Sequence, residues 1–228
     1  MIKKDGIILI NKPSGLTSHD VVDFVRKKFN IKKVGHAGSL DPLAEGLLII
    51  LVGKSTKLFS YFSNFDKEYL GLLKLGETTT TGDCEGKVIK VRDYSNIELE
   101  KISRLSSIFC GEIEQIPPMI SAIRVNGKRL YSLARKGITI DRKPRKIKIY
   151  SIKILNIDLP FIEFYVHCSK GTYIRKLAED IGEYLGCGAH IIKIKRLSIG
   201  PFKLEDAINL EDLDQDKILP YTHENFLR

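Results

Sequence analysis

Apolar positions repeat with two periods along this chain, and the changes between them lay out most of the elements. Gly6–Asn11 (GIILIN) is a continuous apolar run ended by Lys12-Pro13-Ser14-Gly15, which predicts a short buried strand and a turn. Thr17 or Ser18 then stands where a helix cap belongs. Val21, Val22, Phe24, Val25 and Phe29 form an apolar stripe, and Lys27 and Lys28 fall in the last turn, where the helix dipole favours cations. Leu47–Val52 reads as a second buried strand, Lys54–Phe62 as a helix and Glu68–Leu75 as a strand. Thr78–Gly86 is a polar loop, across which Lys87–Val91 is expected to pair with the 68–75 strand.

Ser95-Asn96-Ile97-Glu98 has the form of a capping box, with Ile97, Leu99, Ile102, Leu105 and Ile108 continuing as one helix. Lys146–Ile157 and Phe161–Cys168 are β-rich runs on either side of Asp158-Leu159-Pro160. Tyr173–Leu185 has helical spacing closed by Gly186, and His190–Ile199 returns to strand. Strands and helices mix without strict alternation, so the expected class is α/β or α+β with a mixed sheet.

Residues 115–145 break this pattern. The stretch opens on Pro117-Pro118, has few large aliphatics, and carries Arg124, Lys128, Arg129, Arg135, Lys136, Arg142, Lys143 and Arg145, with a short helix expected over 130–136. It reads either as a solvated connection or as a basic clamp on a phosphate backbone, with Tyr131 as a stacking surface. The whole-chain balance favours the clamp: Lys plus Arg outnumber Asp plus Glu by 37 to 28, a formal charge of +9. With 43% hydrophobic and 29% charged residues, the composition is that of a globular protein, not a disordered one.

Cys84, Cys110, Cys168 and Cys187 are widely spaced and form no CxxC pair, which fits a reducing cytoplasm and neither a zinc ribbon nor a disulfide scaffold. No apolar run reaches the length of a membrane span. Val52–Thr56 (VGKST) imitates a phosphate loop, but Leu48 stands where that motif needs its first glycine, which excludes this route to ATP or GTP binding. Cys187-Gly-Ala-His190 lacks a second pair of metal ligands, and no G-x-S-x-G nucleophile motif is present.

Asp41 is the ambiguous acid. Asp41-Pro42 suits a helix start, yet Gly46 follows so soon that at most one turn can form. Pro42 holds Asp41 extended, and Gly35, Gly38 and Gly46 frame it with small residues. Stiffness and access suit a catalytic carboxylate, and they suit an ordinary tight turn as well.

Taken together, the motifs resemble a known family. GHAGSLDPLAEGLL followed by GKSTKL, then KEYLGLLKLGETTTTGDCEG, QIPPMISAIRVNGKRLYSLARKG, VHCSKGTYIRKLAEDIG and KRLSIGPF, with GIILINKPSGLTSHDVV ahead of them, are similar in order to the bacterial tRNA pseudouridine synthase B family. The resemblance runs from about Gly6 to about Leu213. It implies a pseudouridine synthase fold, a mixed and mainly antiparallel sheet flanked by helices, with residues 115–146 as a thumb insertion that grips RNA. It implies isomerisation of uridine 55 in the T loop of tRNA, with no cofactor and no metal.

The residue roles follow from the same resemblance. Asp41 matches the essential aspartate, Arg175 the arginine that pairs with and aims it, and Tyr69 the tyrosine that stacks on the target base. Tyr173 matches a second active-site tyrosine, Leu197 the apolar residue closing the uracil pocket, His36 the histidine inserted among displaced T-loop bases, and Asp83 a polar contact to RNA. Arg124, Lys128, Arg129, Arg135 and Arg142 are the expected backbone contacts of the thumb. The expected organisation is a catalytic domain over 1–213 and a short stub over 214–228 where many members carry a further RNA-binding domain. The expected setting is a cytoplasmic monomer acting on the T-arm of tRNA. The competing readings are an RNA-binding or tRNA-folding chaperone, and a synthase for another RNA.

Overall fold

The computed structural model describes residues 5–121, 123–125, 127–134 and 136–221. In chain order its elements begin β1 (Gly6–Lys12), α1 (Ser18–Phe29), β2 (Val34–Ala37), β3 (Glu45–Val52), a 3₁₀ turn (Gly53–Leu58), α2 (Phe59–Ser63) and β4 (Lys67–Leu75). They continue with β5 (Glu77–Thr79), β6 (Val88–Val91), α3 (Leu99–Ser103), α4 (Leu105–Phe109), β7 (Gly111–Gln115), β8 (Arg124–Val125), β9 (Lys128–Arg129) and α5 (Leu130–Ala134). The series closes with β10 (Arg145–Asp158), β11 (Phe161–Cys168), α6 (Ile174–Leu185), β12 (Ala189–Ile199), β13 (Phe202–Lys203) and two short 3₁₀ turns. The chain divides into two compact units, 1–68 with 195–228, and 69–194.

In the first unit, β1 and β2 flank β3 antiparallel, the end of β12 lies parallel to the start of β3, and β13 folds back on β12. The β1–β3 register explains why both strands are apolar throughout rather than alternating. Ile8 faces Ile50 and Ile10 faces Leu48; this side packs under Val21, Val22, Val25 and Phe29 of α1. Ile7 faces Leu51 and Leu9 faces Ile49; that side packs on Phe62 and Phe202. Strands covered on both faces lose the polar alternation of a half-exposed sheet. The cap of α1 is Thr17, in a reciprocal box with Asp20, and Asn30 ends the helix in the left-handed conformation. Phe24, expected on the apolar stripe, is 40% exposed: the stripe is narrower than the sequence suggested.

In the second unit the strand order is β4-β11-β10-β7, with β10 antiparallel to both β11 and β7. Ile147, Ile149, Ile152, Ile162, Phe164, Val166 and Cys168 are buried, while Lys146, Lys148, Tyr150 and Glu163 alternate with them and face water. The expected pairing of 87–91 with 68–75 is not what forms. β6 pairs with β5, because the chain doubles back at once through the 80–87 loop. The single helix expected after Ser95 is two short helices: Ser95 Oγ donates to Asp93, not to the helix start, and Glu98 stands at the N-cap without a side-chain bond. The expected 54–62 helix likewise splits into a 3₁₀ turn and α2. Among the described residues no helix is long and apolar enough to cross a membrane.

Candidate active site

Asp41 sits in the connection between β2 and β3, and the accounting of its backbone is nearly complete. Gly38 O and Ser39 O accept from Arg196 Nη2 and Nη1 at 3.1 and 3.3 Å. Leu40 O accepts from Ser18 Oγ at 3.1 Å, and Leu40 N donates back to that oxygen at 2.8 Å. Asp41 O accepts from Ala44 N at 3.1 Å, closing the turn, and Pro42 O accepts from Gly15 N at 2.9 Å. Lys12 Nζ donates to the same Pro42 oxygen at 3.2 Å, and Leu43 O accepts from Ser14 Oγ at 2.9 Å. Each main-chain carbonyl from 38 to 43 is therefore held. A satisfied backbone has no cheap alternative conformation, since each bond broken away from water costs its full desolvation.

Two buried cations do much of this holding. Lys12, fully buried, also donates to Pro13 O and Leu16 O at 2.8 and 2.6 Å. Burial lowers its ammonium from 10.5 to about 8, helped by the Arg196 charge and opposed by Asp41, Glu45 and Asp20. Arg196, 1% exposed, spans the loop and also reaches Leu47 O through Nε at 2.7 Å. Composition gave neither away: Lys12 looked like part of a turn and Arg196 like one of many strand cations. The signal that could have found them is position, a long cation in or directly at the end of a largely apolar strand, where burial demands partners.

His36 is half-buried on β2, opposite Ile50. On β12, alternation puts Ile194, Arg196 and Ser198 on the buried side and Lys195 and Leu197 on the other. Leu197 lines a cleft of about 530 Å³ with Asn11, Glu68, Lys195 and Lys203. Salt bridges at its rim join Lys203 to Glu68 and Lys195 to Glu45. The surroundings of Leu197 are thus charged, and it faces away from the side chain that grips the Asp41 loop.

The second unit holds Tyr69, Asp83, Tyr173 and Arg175. Arg175, in the first turn of α6, is 2% exposed and not the surface residue that its place in the helix suggests. Its Nη1 and Nη2 donate to Thr81 O and Ile120 O, both at 2.7 Å, and its Nε lies 3.7 Å from Asp83 Oδ2. Asp83 is itself 4% exposed; its carboxylate accepts from Thr81 Oγ1 and, at 3.2 Å, from Glu85 N. In this structure Asp83 is buried beside Arg175, where its charge orients the guanidinium. Gly82 must be glycine here: φ is +73° and an added Cβ would lie 2.6 Å from Glu179 Oε1.

Tyr173 is the N-cap of α6, and its side chain makes no capping bond to the helix. Gln115, 2% exposed, substitutes: its Nε2 donates to Tyr173 O at 3.1 Å and its Oε1 accepts from Tyr173 N at 2.7 Å. Gln115 is a further residue the sequence did not mark. Tyr69, 8% exposed, lies on the buried side of β4 with Gly71, whose missing side chain makes room for the Phe164 ring; a Cβ there would come within 2.4 Å of it.

In the 115–146 segment, β8 and β9 form a small ladder and Leu130 is buried, while Lys128, Lys136 and Lys143 are exposed. Arg142 is half-buried, with Nη1 donating to Pro117 O at 3.1 Å. Arg135 lies outside the described residues, as do the side chains of Arg124 and Arg129. The Cys187 and His190 pair is structural: both are buried, His190 Nδ1 lies 3.2 Å from Glu77 O, and burial pushes the Cys187 thiol up. Among the described residues no three His, Cys, Asp or Glu side chains are grouped to hold a metal.

Comparison with known proteins gives this arrangement its class. The family model for the TruB family pseudouridylate synthase (N terminal domain) matches residues 26–174, and that for the tRNA pseudouridylate synthase B C-terminal domain matches 175–228. The chain is 54% identical over 217 residues to a tRNA pseudouridine synthase B of Clostridium kluyveri, covering 95% of this chain and 75% of that one. It is 46% identical to one from Endomicrobium trichonymphae, covering 94% of each. Among solved structures, a chain of a Cbf5-Nop10-Gar1 complex aligns with a TM-score of 0.71 at 34% identity. This chain is 93% covered there and spans about half, 54%, of that longer chain. The fold is thus that of the pseudouridine-forming isomerases. Within them, the chain belongs to the TruB family of pseudouridylate synthases.

Proposed function

We propose that this enzyme isomerises uridine 55 in the T loop of tRNA, in the cytoplasm and as a monomer. The N1–C1′ glycosidic bond breaks, the uracil turns, and C5 joins C1′. One proton leaves C5 and one is gained at N1, so the atoms balance without a co-substrate. Asp41 is the carboxylate that acts at the sugar or base, Arg175 aims it, and Tyr69 stacks on the flipped uracil. Tyr173 is a second wall. Asp83 sits beside Arg175, and Leu197, which lines the cleft on its side of β12, is the apolar residue that closes the uracil pocket. Lys128 and the other cations of 115–146 hold the T-arm backbone, and His36 fills the space left by displaced bases.

The observation that carries this reading is the Asp41 turn, every carbonyl of which is tied down, in a chain 54% identical to a relative named tRNA pseudouridine synthase B. Tight placement of a reacting group is worth orders of magnitude in rate, and a mere surface turn has no need of it. The test is to map pseudouridine by mass spectrometry in unmodified tRNA after incubation with the enzyme. Conversion at position 55 alone is expected. Binding without conversion would favour the chaperone reading, and conversion elsewhere a different RNA target.

A further inference from the structure

From the fit between one guanidinium and one loop, we infer that Arg196 is a positioning residue that fixes Asp41 for catalysis. The inference rests on reading Asp41 as the reacting carboxylate. Arg196 binds three carbonyls from the two ends of the loop that carries Asp41. Gly38 O and Ser39 O lie just before it, at 3.1 and 3.3 Å, and Leu47 O lies beyond it in β3, at 2.7 Å. The side chain therefore closes the base of the loop as a strap between its entry and its exit.

The main chain of Arg196 does the same from the other direction. It pairs with Gly46 in the parallel β3–β12 register, and a Cβ on Gly46 would lie 2.4 Å from Arg196 O and 2.8 Å from Arg196 N. The side chain thus ties both ends of the segment from Gly38 to Leu47, and the backbone of the same residue holds its exit in β3.

Only a guanidinium suits these acceptors. Each of Nε, Nη1 and Nη2 meets a different carbonyl, which the planar fork of donors does with one rigid group, whereas an ammonium concentrates its donors at one point. A buried cation of this size is costly, so an apolar residue would serve better if filling space were the whole task. Loss of the strap frees the Gly38 and Ser39 peptides, and Asp41 follows them within two residues.

The experiment measures tritium release from unmodified tRNA transcript labelled at uridine C5, with filter binding of the same RNA and thermal melting. Arg196→Lys, which keeps the charge and loses the fork, is expected to lower kcat about 100-fold while KM and RNA affinity stay within about twofold. Gly38→Ala approaches the strap from the loop side. Its φ of +87° strains any side chain at this half-buried position, and relief of that strain is expected to turn the carbonyl off Arg196. It is expected to lower kcat with KM kept, and it decides the matter should Arg196→Lys fail to fold.

Asp41→Asn runs alongside. If it is inactive and both other variants turn over at the wild-type rate, the strap is irrelevant to catalysis and the inference is wrong. The same holds if the loss in Arg196→Lys vanishes on cooling well below its melting temperature, since stability alone would then explain it. An active Asp41→Asn overturns instead the reading of Asp41 beneath the inference.

Discussion

Around Asp41, main-chain carbonyls are fixed one after another by Ser14, Ser18, Lys12 and Arg196, and the cations that do so are buried. Between β7 and β10, the regular structure among the described residues is a two-pair ladder and the short helix α5, and Lys128, Lys136 and Lys143 point into water. Both regions are rich in Lys and Arg, and they use the charge differently. A buried cation is spent on geometry, because its donors must all be satisfied by protein. An exposed one keeps its long-range field, which attracts a polyanion and releases counterions when it binds. The first arrangement suits bond making, the second suits grip.

That contrast breaks most sharply at Asp41. Asp41→Asn is expected to reduce pseudouridine formation by about 10⁴-fold or more with RNA affinity nearly unchanged, measured by tritium release and filter binding. A comparable loss of binding would place Asp41 among the grip residues. Gly46→Ala attacks the frame. With φ at +103° and Arg196 O at 2.4 Å from the new Cβ, it is expected to cost about 3 kcal/mol or more in urea unfolding.

Lys12 gives a pH test of the same frame. Its folded value of about 8 lies below the ordinary 10.5, so the unfolded chain holds this proton more tightly. The cost of the buried charge is fully present below about pH 8 and is relieved as pH rises toward 10.5. This adds up to about 3 kcal/mol of stability across that window. Urea unfolding of wild type and Lys12→Met should diverge in this direction; parallel curves would remove the burial argument.

Lys128→Ala tests the grip. RNA affinity should fall about threefold and the salt slope by about one phosphate contact, with stability within about 0.5 kcal/mol of wild type. A change in kcat at saturating RNA would count against the division of labour. Arg92→Ala is the smallest change, at a forked pair with the half-exposed Glu183 and bonds of 2.9 and 2.7 Å. The melting temperature should fall only slightly and turnover should not change.

Elements with an unambiguous pattern were legible before any coordinates. β1, α1 with its Thr17 cap, β11 and α6 with its Gly186 end formed within a residue or two of expectation, since period and cap chemistry are local. Local rules failed where a neighbour decided. The Ser95 hydroxyl had an acceptor in Asp93 as good as a helix start, and β6 found β5 before it could reach β4.

At the site, motif order marked Asp41, Tyr69 and Arg175. Periodicity could not tell that Arg175 is buried against Asp83, Thr81 and Ile120, or that Leu197 faces a charged cleft. Gln115, Lys12 and Arg196 went unmarked because their work is hydrogen bonding to main-chain groups at remote positions. Main-chain acceptors carry no sequence signature.

The sequence by itself determined the class of fold, the family, the basic 115–146 segment and the identity of the candidate carboxylate. These depend on residue type, period and motif order along the chain. Only the tertiary structure decided which cations face inward, which carbonyls they hold, and which side of β12 looks toward the Asp41 loop. Those outcomes turn on strand register and burial: a shift of one residue would exchange Arg196 with Leu197. Register is fixed by contacts between segments far apart in the chain, such as Gly46 against Arg196, and not by either segment alone.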